Sequence, residues 1–259
     1  NTPITMHIRI RNQFMRRAWL WHNQNGCRRI VYQDGKFSSQ TYKKELGNLP
    51  SDRVQFVLES AKGEVWIGTR KGLLKYRNGQ TDNLDPQSQS WEHIIAYDQY
   101  TCIITDKNEI YRHTYSTGKL EKVGSLAASF DDNSRVTGNF LLADKWVLFT
   151  ANGSYLLDIP TGKLSRYSDL NIKNGAVTKD NKKNVWVHNY TGHLWYVNVT
   201  TGNIKPFQFL SSEHIGYIDV ERYSIVHDSR DIIWITTYGN GLYAYELATG
   251  DLQHFTKNS

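Results

Sequence analysis

Cysteine is almost missing from this sequence: Cys27 and Cys102 are the only two in 259 residues. Two cysteines so far apart make neither a disulfide framework nor a metal-ligand spacing. Long apolar runs are missing as well. No stretch approaches the roughly 20 residues that cross a bilayer as a helix, and the first residues lack the charged-then-apolar pattern of a signal peptide. Charge of one sign is in only modest excess, with 31 Lys and Arg against 25 Asp and Glu, a formal +6. The doublets Arg16-Arg17, Arg28-Arg29, Lys43-Lys44 and Lys182-Lys183 are scattered, which fits exposed strand faces and turns better than a nucleic-acid footprint. Sustained 3.6-residue periodicity with caps is absent, so very little helix is expected. There is no HExxH, CxxC, Gly-x-Ser-x-Gly elbow, P-loop or dinucleotide fingerprint, and no metal or cofactor is implied.

What the chain does have is a repeat. A Trp in a β-branched run is followed six or seven residues later by Gly and an aromatic. The clearest copies are Val65-Trp66-Ile67-Gly68-Thr69 with Gly72-Leu73-Leu74-Lys75-Tyr76, Val185-Trp186-Val187 with Gly192 to Tyr196, and Ile233-Trp234-Ile235 with Gly241 to Tyr245. Looser copies lie at Trp19 with Gly26 and at Trp146 with Gly153, and one around Ile103 lacks the Trp. Taking Trp19, Trp66, Ile103, Trp146, Trp186 and Trp234 as equivalent gives spacings of 47, 37, 43, 40 and 48 residues. Gly35, Gly79, Gly118, Gly162, Gly202 and Gly250 recur in phase, each in a short turn before a last strand-like run. A period near forty with this strand content predicts an all-β fold, a β-propeller of four-stranded antiparallel blades.

Six repeats are visible, at about 4–44, 51–86, 91–124, 135–170, 174–210 and 215–259, all within one propeller domain spanning 1–259. They fit a closed six-bladed ring or part of a seven-bladed or tandem propeller. The chain begins without Met and stops where another repeat would start, so a fragment of a longer protein is expected. In each repeat the Trp falls on the second strand, where it is expected to pack between adjacent blades and not to serve as a ligand platform. Gly at the start of the third strand is expected to permit a tight turn.

Val57 to Leu73, with its Trp66-Ile67-Gly68-Thr69 and Gly72-Leu73, resembles the two-component regulator propeller repeat. Asp228 to Phe255 is similar, with Thr236-Thr237 in place of Gly-Thr; Asp180 to Phe207 matches more loosely, and the other repeats only in outline. The resemblance implies the periplasmic sensor region of a Bacteroides-type hybrid two-component system. In that family tandem propellers precede a membrane helix, a histidine kinase and a DNA-binding domain, and the usual signals are oligosaccharides from glycan breakdown. None of the downstream parts is in this sequence. The implied role is a non-catalytic, extracytoplasmic ligand-sensing module that works as a homodimer or paired with a second propeller, touching the membrane only through a segment beyond this chain. Two rivals stand beside it: a polysaccharide-acting lyase or glycosidase, and a scaffold for protein assembly.

For catalysis the sequence offers little. Its nine His are dispersed, and Asp131-Asp132, Glu213-His214 and Asp219 with Glu221 are the acidic pairs that acid/base work on glycosidic bonds would need. Neighbours on a strand point to opposite faces, which weakens such pairs, and no catalytic residue is assigned. Binding is read instead from the turns between strands two and three and the connections between blades, which share one face in a propeller. The candidate ligand-binding residues there are Arg70, Trp91, Lys173, Tyr190, Tyr217, Tyr238 and Asn240. Aromatic rings among them would stack on sugar faces while the polar groups bond hydroxyls.

Overall fold

A computed structural model describes residues 5–10, 15–22, 24–60, 63–77, 80–85, 88–168, 176–188, 194–207, 224–237 and 241–257. The chain divides into two compact units, Asn1–Asn133 and Ser134–Ser259, each holding three four-stranded antiparallel sheets. In the first unit, sheet 1 is β1 (Thr5–Ile10), β2 (Met15–His22), β3 (Gly26–Gln33) and β4 (Lys36–Tyr42). Sheet 2 is β5 (Val54–Glu59), β6 (Val65–Thr69), β7 (Gly72–Arg77) and β8 (Gln80–Asn83). Sheet 3 is β9 (Trp91–Tyr97), β10 (Tyr100–Thr105), β11 (Glu109–Thr114) and β12 (Lys119–Ser125). In the second unit, sheet 4 is β13 (Gly138–Leu142), β14 (Lys145–Phe149), β15 (Ser154–Asp158) and β16 (Leu164–Ser168). Sheet 5 is β17 (Ala176–Lys179), β18 (Val185–His188), β19 (Leu194–Val197) and β20 (Ile204–Phe207). Sheet 6 is β21 (Ser224–His227), β22 (Ile232–Thr236), β23 (Leu242–Glu246) and β24 (Leu252–Phe255). Every sheet is a meander in chain order. The helical content among the described residues is one turn, α1 (Leu126–Phe130), and a 3-10 turn at Lys44–Leu46.

Within each unit the first strands lie side by side, β5 next to β1 and β9, and β17 next to β13 and β21. Side-chain alternation on the second strand then sends successive residues to opposite neighbours. On β6, Val65 and Ile67 join Trp19, Tyr42 and Val54 in the core between sheets 1 and 2, while Trp66 joins Trp91 and Ile103 between sheets 2 and 3. On β18, Val185 and Val187 pack with Phe140 and Phe149 of sheet 4, while Trp186 packs with Ile225, Ile233 and Ile235 of sheet 6. The repeated Trp is therefore a wedge toward the next sheet. Trp19, Trp66 and Trp186 are each at most 5 % exposed.

Two of the sequence equivalences are out by one residue. At the end of the second strand, or one residue past it, stands a Thr whose side chain closes the following turn: Thr69 Oγ1 and Thr150 Oγ1 donate to the carbonyls of Gly72 and Gly153, Thr237 Oγ1 to that of Gly241, and Thr105 Oγ1 accepts from Glu109 N–H. Counting three back from this Thr gives Trp66, Cys102, Val147 and Trp234. Ile103 faces back to sheet 2, and Val147 takes the wedge position toward sheet 5. Trp146 thus lies on the opposite face of its sheet, where its indole N–H donates to Asn139 Oδ1 at 3.0 Å. A one-residue slip on a strand reverses the face, so the misplaced anchors change which sheets they join.

In sheets 2 to 6 the first hairpin comes in two lengths, and the longer one accompanies the Trp. In sheets 5 and 6 the turn is closed by Asp180 N–H to Asn184 C=O and by Asp228 N–H to Ile232 C=O. The Asp carboxylate then accepts from the turn N–H groups and, six residues on, from the Trp indole: Trp186 Nε1 to Asp180 at 3.2 Å, Trp234 Nε1 to Asp228 at 3.0 Å. Donation from the Trp234 indole holds the Asp228 carboxyl well below the usual carboxylate range, helped by Arg230. Sheet 2 makes the same turn with Ser60 in place of Asp. Sheets 3 and 4, with Cys102 and Val147 at the wedge, use short hairpins through Asp98 and Ala143 instead, both at positive φ.

The fourth residue of the longer turn is left-handed in all three copies: Gly63 at φ +78°, Lys183 at +67° and Asp231 at +68°. A side chain there costs about 1–2 kcal/mol relative to the right-handed region, which Gly avoids. Lys183→Gly is therefore expected to raise stability by about 0.5–1 kcal/mol after its greater unfolded-state entropy is counted. A urea titration checks this; a lower midpoint would show that the Lys183 side chain contributes more than its backbone strain costs.

Candidate functional site

The two cysteines are the first candidates to be removed. Both are free and buried, and burial pushes both thiols up to about 12, far from reactive thiolate. The acidic pair Asp131-Asp132 is structural. Asp131 ends α1 in the left-handed region, and Asp132 is 1 % exposed. Among the described residues no group of His, Cys, Asp and Glu is arranged to hold a metal. Glu213, His214, Asp219, Glu221 and His193 lie outside the described residues, and so do the candidates Lys173, Tyr190, Tyr217, Tyr238 and Asn240.

Of the two candidates that are described, one is corrected. Trp91 does not line a ligand face: it is 1 % exposed, begins β9, and packs with Phe56, Trp66, Leu73 and Ile103. Its indole N–H donates to Asp85 Oδ2 at 2.8 Å, so its polar atom is satisfied as well. A Trp at the end of a connection looks exposed in sequence, but the two sheets close over it.

Arg70 is exposed on the turn between β6 and β7, and there the structure forms a pocket of about 490 Å³. Its walls come from that turn (Arg70, Lys71), from the connection between sheets 1 and 2 (Lys44, Pro50, Ser51, Asp52, Arg53), and from Gln24 ahead of β3. The connection is fixed by backbone bonds on both sides. Gly26 N–H donates to Asp52 C=O at 2.8 Å, and Arg70 N–H donates to Arg53 C=O at 3.0 Å. Asn48 and Asp52 fold its beginning, accepting from the N–H groups of Lys43 and Lys44 at 2.7 Å each. Thr69 Oγ1 accepts from Lys71 N–H, and a Cβ on Gly72 would stand 2.9 Å from Pro50 Cγ, which sets how closely the turn meets the connection.

Electrostatically the pocket is one-sided. Lys44, Arg53, Arg70 and Lys71 are all exposed, and none pairs with a carboxylate among the described residues. The single acid, Asp52, already accepts from the main chain. Among the described residues no aromatic ring lines the pocket. Lys44 and Arg53 went unread in the sequence. Lys44 belonged to a doublet taken as scattered surface charge, and only the folded connection brings it to Arg70.

With six four-stranded meanders built on these wedges and turns, the chain can be compared with solved structures. It matches the streptogramin B lyase structure with a TM-score of 0.63 and 15% identity over 94% of this chain and 80% of that one. It matches YCF48 from Cyanidioschyzon merolae with a TM-score of 0.63 and 13% identity over 92% and 81%. The chain is a β-propeller. It also matches the extracellular domain of BT4673 from B. thetaiotaomicron, described as a hybrid two component system, with a TM-score of 0.52 and 16% identity. That match covers 92% of this propeller but 40% of the BT4673 chain. No family model matches the sequence, and no curated protein matches it. At these identities the similarity is one of fold, and propellers of this kind carry unrelated activities.

Proposed function

We propose that this propeller is a non-catalytic, extracytoplasmic ligand-sensing module of a hybrid two-component receptor, placed in the periplasm and answering to oligosaccharides released from glycans. The observation that carries the reading is a pocket at the loop ends of two adjacent blades that is built for binding and poorly equipped for chemistry. Among the described residues, its one carboxylate is engaged by the main chain and no His lines it. The repeat wording around Trp66 and Trp234 and the shared fold with the BT4673 extracellular domain support the receptor class. Signalling would follow from differential affinity for two arrangements of a homodimer or propeller pair, since a ligand shifts an equilibrium only by that difference.

The likeness to a lyase favours one competing reading, a lyase or glycosidase acting on a polysaccharide. Both are addressed by incubating the protein with a panel of polysaccharides, their oligosaccharides and a streptogramin B, then following products by mass spectrometry and binding by calorimetry. Saturable binding with intact ligand is the expected result. Time-dependent release of products would overturn the sensing role.

A further inference from the structure

We infer that the pocket between sheets 1 and 2 recognises a small ligand carrying two or more anionic groups, carboxylate, sulfate or phosphate. The inference rests on the ligand-sensing role proposed above and specifies the chemistry of the site. Four cationic side chains, Lys44, Arg53, Arg70 and Lys71, and one acid, Asp52, surround one cavity, and none of the four forms an ion pair among the described residues. Like charges gathered on concave walls focus a positive potential into the cavity and raise the local concentration of anions. Elsewhere in the same unit some cations are paired, Arg112 and Lys119 with Glu121 and Lys122 with Glu109, while exposed Arg28, Lys36 and Lys107 stand apart from one another. The pocket differs in gathering four cations around one cavity.

Two further properties narrow the ligand. The cavity volume falls within the roughly 300–1,000 Å³ of small-molecule sites. Among the described lining residues no ring offers a stacking face, so the affinity argued here comes from charge-assisted hydrogen bonds. The guanidinium forks of Arg53 and Arg70 suit planar or tetrahedral oxyanions, and Lys44 and Lys71 add point charges. Two forks and two ammonium groups exceed what one anionic group can engage, which selects for multiple charge. Because main-chain bonds hold the walls, binding need order only the side chains and not the loops that carry them.

The test is calorimetry on the intact chain with four probes: a galacturonate tetramer, its neutral methyl ester, citrate and inorganic phosphate. The tetramer and citrate are expected to bind with Kd below about 1 mM, an affinity that falls about tenfold between about 50 and about 300 mM salt. The methyl ester is expected to be silent. Phosphate binding alone would assign the site to a free inorganic oxyanion, against the multiply charged organic ligand inferred here. Arg53→Gln/Arg70→Gln should weaken the tetramer at least tenfold, and Lys36→Gln/Lys163→Gln, which removes the same charge at exposed turns elsewhere, should not. Both doubles replace exposed side chains and should melt like the parent, which thermal unfolding verifies. Equal weakening in both doubles, or no binding by either organic anion, would overturn the inference. Equal binding of tetramer and ester would overturn it too, yet leave the sensing role intact, whereas cleavage of the tetramer would refute the sensing role itself.

Discussion

Asp180→Ala is expected to lower stability by about 3–5 kcal/mol, a large part of the roughly 5–15 kcal/mol that holds a domain together. The carboxylate accepts from Lys182 N–H and Asn184 N–H at 2.9 Å, from Asn184 Nδ2 at 3.1 Å and from the Trp186 indole at 3.2 Å. Asp180, Asn184 and Trp186 are all buried, so removal leaves donors that water cannot easily reach. A buried donor stranded in this way costs about 1–3 kcal/mol. Asp180→Asn should fall between, because its amide keeps one acceptor but turns an N–H₂ toward other donors. Urea unfolding followed by tryptophan fluorescence reads both variants. A midpoint for Asp180→Ala equal to the parent would mean that the turn is held by strand pairing alone and that the Asp–Trp clamp is incidental.

Gly241→Ala carries the next largest effect, about 2–4 kcal/mol. Gly241 sits at φ +78°, and a Cβ there would lie 2.1 Å from the carbonyl oxygen of Phe255, a main-chain atom of the neighbouring β24. The backbone preference and the collision add, and the strand cannot shift without breaking its ladder to Leu242 and Tyr243. Gly250→Ala separates the two causes. Its φ is +80°, but the nearest atom to a new Cβ is Tyr245 Oη at 3.7 Å, so it should lose only the conformational part, about 1–2 kcal/mol. Comparable thermal midpoints for the two variants would show that β24 yields freely and that close packing is not what requires Gly at 241.

The architecture was legible because its markers are spaced residues of distinctive chemistry. Trp on the second strand and Gly at the third-strand entry gave the period, and six sheets of four strands follow it. Register was legible only in part. Ile103 and Trp146 attract the eye as the bulkiest residues near the expected position, whereas the position is fixed from the other side, by Thr105 and Thr150 closing the next turn. The six-residue spacing from Asp180 to Trp186 and from Asp228 to Trp234 was also present in the sequence. Its meaning needed the turn that folds the carboxylate back onto the indole. Around the pocket, the place of Arg70 on the turn after β6 could be read from the repeat. Lys44 and Arg53 could not, since charges on an irregular connection carry no period. Trp91 misled for the complementary reason: an aromatic beside a loop looks available until two sheets cover it.

The connection between sheets 1 and 2 is stitched to its neighbours through the main chain, at Gly26–Asp52 and Arg70–Arg53. Those bonds do not depend on the identity of the side chains at 44, 53, 70 and 71. Substitutions at these four positions can therefore rewrite what the cavity accepts without moving its walls. Selectivity and scaffold are separately heritable here, so a lineage can drift from one ligand to another through single exchanges of charge. For the same reason this loop pair is a defined seat for grafting new recognition chemistry.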